Sequence, residues 1–119
     1  MSSFYILCPP TPCSWQLDPG QFARDLQSRW PEAKIARADG PVNAITWEIA
    51  ASSHSWLDGS LQLDGQTSCL RGDPELIADY VLWLRAHNPE PDLVLVHDAY
   101  GTLNAIAPNT TREQIIALL

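Results

Sequence analysis

Apolar residues recur every fourth position in one stretch of the chain and every second position in several others. Phe22, Leu26 and Trp30 form a single helical stripe. Asp18 precedes it as a cap, Pro19 suits the first helical position, and Gln21 stands third, as in a capping box. Leu17 and Phe22 occupy the two positions of a hydrophobic staple, and Pro31 ends the helix. A second Asp-Pro pair, Asp73-Pro74, opens a helix that runs to about His87. Its apolar face is broad: Leu76, Ile77, Tyr80, Val81 and Leu84, widened by Trp83, with Ala78 and Leu82 lying away from it. A helix apolar over so much of its circumference is central to a domain or covered by a partner. Thr110 as cap and Glu113 three residues on predict a short third helix carrying Ile115, Ile116, Leu118 and Leu119.

Between the helices the period changes to two. Phe4 to Cys8 reads as a mostly buried strand, followed by a stiff loop with Pro9, Pro10 and Pro12 that runs through Trp15. Lys34 to Ala38 is a further strand, and Asp39-Gly40-Pro41 a turn. Ile45, Trp47 and Ile49 alternate with Thr46 and Glu48 within Val42 to Ala51. After a polar turn at Ser52 to Ser55, Trp56 to Leu63 places Leu57, Leu61 and Leu63 inward. Asp64-Gly65 predicts a two-residue hairpin leading into Gln66 to Arg71. Asp92 to Asp98 is a continuous apolar run, the pattern of a strand covered on both faces. Thr102 to Ala107 returns beside it.

The order is β-α-β-β-β-β-α-β-β-α. It predicts one α+β domain over residues 1–119, with a single, largely antiparallel sheet and helices packed mainly on one face. The two Asp-Pro helices raise the prospect of a β-α-β-β pseudo-repeat.

Charge narrows the partners. The net charge is −7, and the seven basic residues, of which only Lys34 is a lysine, are scattered. Nucleic acid and anionic membranes are disfavoured, because both need clustered positive charge. No stretch approaches the roughly 18 apolar residues of a membrane span. The start of the chain lacks the pattern of a signal peptide. Three cysteines make no disulfide framework. A cytoplasmic protein is expected.

Candidate chemistry is sparse. His97, Asp98 and Tyr100 stand where an apolar strand opens into a turn and could act as base, orienter and donor. Neighbours on a strand point to opposite faces, however, which strains a direct His97–Asp98 pair. Cys8 and Cys13 lack the tight second pair of soft ligands that zinc needs, so with Cys69 they read as free thiols and no metal is expected. His54 lies in a serine-rich turn with no nucleophile-elbow pattern. Six dispersed glycines make no phosphate loop, and no cofactor is expected. Glu48, Asp58 and Asp64 fall on neighbouring strands as carboxylates that could pair.

Five tryptophans are many for 119 residues. Trp30, Trp47 and Trp83 fit core stripes, whereas Trp15 and Trp56 have no assigned face. Exposed tryptophan beside acidic residues is the composition of a protein-binding hot spot. The expected partner surface is therefore Trp15 and Trp56 with Asp58, Asp64, Asp73, Glu75 and Asp79. The expected protein is an acidic binding domain with a basic protein partner, for instance a bacterial immunity or antitoxin-type protein that neutralises a basic toxin. A small-ligand domain or enzyme centred on His97, and a structural homodimer through Ala78, Leu82 and Trp83, are the alternatives.

Overall fold

A computed structural model describes residues 4–11, 13–38, 40–52, 55–97 and 101–119. Among the described residues, seven strands and three helices follow in the expected order: β1 Phe4–Cys8, α1 Pro19–Arg29, β2 Lys34–Arg37, β3 Asn43–Ala50, β4 Trp56–Gln62, β5 Ser68–Gly72, α2 Pro74–His87, β6 Val94–His97, β7 Thr102–Ala105 and α3 Arg112–Ile116. The strands form one antiparallel sheet in the order β2-β3-β4-β5-β1-β6-β7. This is an α+β fold.

Both Asp-Pro caps form as their sequences predict, but the capping box at α1 does not close, because the Gln21 side chain donates to Asp25 and accepts from Arg24. Asp18 accepts the Gln21 N–H at 2.9 Å, and Asp73 accepts the Glu75 N–H at 2.8 Å. The third cap lies one residue later than the spacing suggests. Thr111, not Thr110, takes the Gln114 N–H, and Gln114, not Glu113, reaches back to the Thr111 N–H.

The two helix-strand units deliver the chain differently. After α1 it enters the sheet at the β2 edge and returns inward through β3. After α2 it enters beside β1 as β6 and leaves outward to the β7 edge.

All three helices contribute to one core against a single face of the sheet. On that face stand Ile45, Trp47 and Ile49 of β3, Leu57 and Leu61 of β4, Leu70 of β5, Tyr5 and Leu7 of β1 and Leu95 of β6, all buried. The breadth of the α2 stripe has a direct cause: α2 is the middle element of the helical layer. Trp83 meets Phe22 and Trp30 of the α1 side, with Trp30 at 5.5 Å between ring centroids, and Tyr80 lies on Trp47 at 5.3 Å. On the other flank Asp79 accepts from Arg112 of α3 at 2.7 Å. Ala78, expected to face away, is fully buried.

Gly59 is a point of close approach. The Trp47 indole lies across it, and a Cβ there would fall 2.3 Å from two ring carbons. Tyr80 is wholly buried, its hydroxyl 2.8 Å from that of Ser68, and burial pushes its pKa well up.

Three strand expectations change. Leu63 is not inward but 61% exposed, because β4 ends at Gln62 and Leu63 already belongs to the turn. That turn is longer than two residues. Gln62 donates to the Thr67 carbonyl across four intervening residues, and the Asp64 carboxylate accepts from the Gln66 and Thr67 amides within it. The apolar run at β6 is covered only in part on the face opposite the helices, where Val94 is buried but Val96 is half-buried.

Candidate functional site

The strand registers align the residues of the other face into rows. One row crosses five strands: Lys34, Glu48, Asp58, Arg71 and Phe4 stand directly opposite one another in turn. Its sign pattern is plus, minus, minus, plus, then aromatic. Like charges directly opposite are unfavourable, and the Glu48–Asp58 pair is bracketed on each side by a cation. Arg71 makes a 3.9 Å ion pair with Asp58. Its guanidinium also lies 5.5 Å from the Phe4 ring and 5.6 Å from the Trp56 ring. These groups are partly exposed, so their electrostatics are screened by water.

The next row reads Ala36, Thr46, Ser60, Cys69, Ile6, Val96 and Leu103 across all seven strands. The face therefore runs from small and polar at β2 to apolar at β7. Phe4 is 45% exposed and Leu103 65%. A shallow depression of about 480 Å³ lies over Lys34, Glu48, Asp58 and Gly59 at the charged end.

The two edges differ in the same sense. β2 carries Lys34 and Arg37, the charges that commonly blunt a sheet edge. β7, Thr102–Ala105, carries no charge.

A second concave feature lies where β1 ends and β6 begins. Trp15, Pro9, Pro10 and Pro91 line a cleft of about 240 Å³ with Glu90 and Asp92. Both of its walls are pinned from behind. Gln66 donates from Nε2 to the carbonyls of Cys13 at 2.8 Å and Trp15 at 2.7 Å. Arg85, 5% exposed, donates to the carbonyls of Pro89 and Pro91.

The residues expected to form a partner surface thus part company. Trp56 and Asp58 share the open sheet face. Trp15 is half-buried in the cleft, packed partly on the core. Asp64 organises the β4–β5 turn. Burial raises its pKa, but hydrogen bonds from the Gln66 N–H, the Thr67 hydroxyl and the Thr67 N–H outweigh that and hold it below the ordinary value. Asp73 caps α2, and Glu75 and Asp79 both face Arg112, at 3.9 Å and 2.7 Å. Of the proposed homodimer residues, Ala78 is buried within the chain, and Leu82 and Trp83 are half-buried.

His97 ends β6 and meets the Tyr5 ring edge-on at 4.8 Å. Asp98, Tyr100 and His54 lie outside the described residues. Glu48 and Asp58 oppose each other, whereas Asp64 sits apart in its turn.

Cys8 and Cys69 are half-buried on the open face rather than in the core, and Cys13 is exposed. Burial, followed by the charges of Asp64 and Cys69, pushes the Cys8 thiol up, which disfavours a reactive thiolate. Among the described residues no three His, Cys, Asp or Glu side chains converge as metal ligands, and no helix is long and apolar enough to cross a membrane.

Sequence reasoning missed Phe4, Arg71, Glu90 and Asp92. Phe4 looked like any strand residue, and Arg71 gains meaning only from the register that sets it beside Phe4, Trp56 and Asp58. No known protein family matches the chain, and neither a curated protein nor a solved structure is significantly similar to it.

Proposed function

We propose that this chain is a non-catalytic protein-binding domain whose partner docks on the open face of the sheet. The observation that carries the reading is the cluster of Phe4, Arg71 and Trp56 on that face. Two aromatic rings flank a guanidinium whose carboxylate partner, Asp58, is also solvent-accessible. Aromatic and arginine side chains are the residues that most often anchor protein interfaces. Apolar surface continues from them through Ile6 and Val96 to Leu103.

The partner is a basic protein. A net charge of −7 draws an oppositely charged molecule and speeds its encounter. An immunity or antitoxin-type role in the cytoplasm, neutralising a basic toxin, is the concrete form of this reading.

The test uses the chain as bait in its native host, with Trp56→Ala and Phe4→Ala as controls. A stoichiometric basic partner retained by the parent chain and lost from both variants, with their thermal unfolding little changed, supports the reading. Absence of such a partner, or equal retention by the variants, contradicts it.

A further inference from the structure

The cleft beside Trp15 is built in a way its own folding role does not require. Three prolines fix its walls, because each locks its own backbone φ. The chain on one side is tied down by Gln66 through the Cys13 and Trp15 carbonyls. On the other, the buried Arg85 spends its guanidinium on the Pro89 and Pro91 carbonyls. A cavity whose walls are held from behind loses little entropy when it is filled.

Its chemistry is selective. An indole and three pyrrolidine rings supply flat apolar surface, and the charged groups lining the space are the two carboxylates of Glu90 and Asp92. Arg85 offsets part of that charge from behind, yet its two terminal nitrogens are committed to backbone carbonyls and its Nε is buried. The cleft therefore carries an excess of negative charge beside an aromatic face. That combination suits a planar cation. A guanidinium stacks on indole and forks to carboxylates, whereas an ammonium is a compact, strongly hydrated point charge. The volume, about 240 Å³, accommodates one such side chain and not a folded element.

We infer that the Trp15 cleft is a binding site for one arginine side chain presented by a protein partner. The inference rests on the protein-binding reading only for the source of that arginine. The site lies at the opposite end of β1 from the Phe4–Arg71–Trp56 cluster, so the two can be tested separately.

The probe is a capped Gly-Arg-Gly peptide titrated into the isotope-labelled full chain. The readout is the Trp15 indole N–H, assigned with Trp15→Phe, together with the Glu90 and Asp92 amides. Saturable shifts confined to these groups are expected, with a dissociation constant on the order of 10 mM for an isolated side chain. Glu90→Gln combined with Asp92→Asn, both at exposed positions, should weaken binding about tenfold, and Glu90→Gln alone, which leaves the Asp92 charge beside buried Arg85, should weaken it in the same direction with thermal unfolding unchanged. The citrulline peptide, equal in shape but uncharged, should leave the Trp15 indole unmoved. Equal binding of the citrulline peptide, shifts centred elsewhere, or no shift at concentrations well above that dissociation constant each overturn the inference. Loss of a protein partner from the open-face variants leaves this titration unchanged. A failed titration likewise leaves the open-face docking test standing.

Discussion

On β4, Leu57 and Leu61 are fully buried against the helical layer, whereas Trp56 and Asp58, each next to Leu57, are only half-buried on the opposite face. The same division runs through the sheet. On β3, Trp47 lies in the core on Gly59 and Tyr80, while Glu48 stands in a row of charges. On β1, Leu7 is inaccessible and Phe4 is 45% exposed. One face is satisfied by the chain's own helices. The other keeps rings, thiols and a neutralised row of charges that the fold itself does not need to cover. A two-layer fold closes its core with one face of the sheet, which frees the second for interaction.

The largest effect that would sharpen this contrast is at Trp47. Trp47→Ala removes a buried indole from the centre of the aromatic cluster and should cost about 3–5 kcal/mol in denaturant unfolding. A cost near zero would mean that the covered face is not the core. Gly59→Ala should come next, at about 1–3 kcal/mol, because the added methyl must displace the indole and overpack the site. A neutral Gly59→Ala would break the claim of close approach. Trp56→Ala, two strands from the sheet edge but on the open face, should cost about 1 kcal/mol or less. A loss as large as that of Trp47→Ala would erase the distinction between the faces.

Much of the fold is legible in the sequence because local rules decide it. The two Asp-Pro caps, the Phe22–Leu26–Trp30 stripe and the Ile45–Trp47–Ile49 alternation each fix an element within a few residues of chain. Errors fall where local pattern runs past the element that it describes. The Leu57–Leu61 rhythm continues to Leu63, but the strand has already turned. The β6 run looks covered on both faces because Val94 and Val96 are apolar. They belong to the Cys8–Ile6–Leu103 side of the open face, where Val94 is buried but Val96 and Leu103 keep exposure.

Helix α2 shows the opposite case. Its all-round apolarity signals either a partner or a central position, and only the packing of α1 and α3 on its flanks decides for the second. The candidate sites were the least legible part. The row from Lys34 to Phe4 depends on four strand registers. The Trp15 cleft joins Pro9, Pro10 and Trp15 to Glu90, Pro91 and Asp92, and no periodicity links segments so far apart in the chain.

The most direct test of the central claim, that the two faces have separate roles, is the amide and indole footprint of the retained partner on the isotope-labelled chain. The account predicts perturbation of Phe4, Trp56, Asp58 and Arg71, with Trp47 and the α1–α2 aromatic cluster unmoved. A footprint centred on the exposed side of α1 and α2, around Trp83 and His87, with the open sheet face silent, would contradict it.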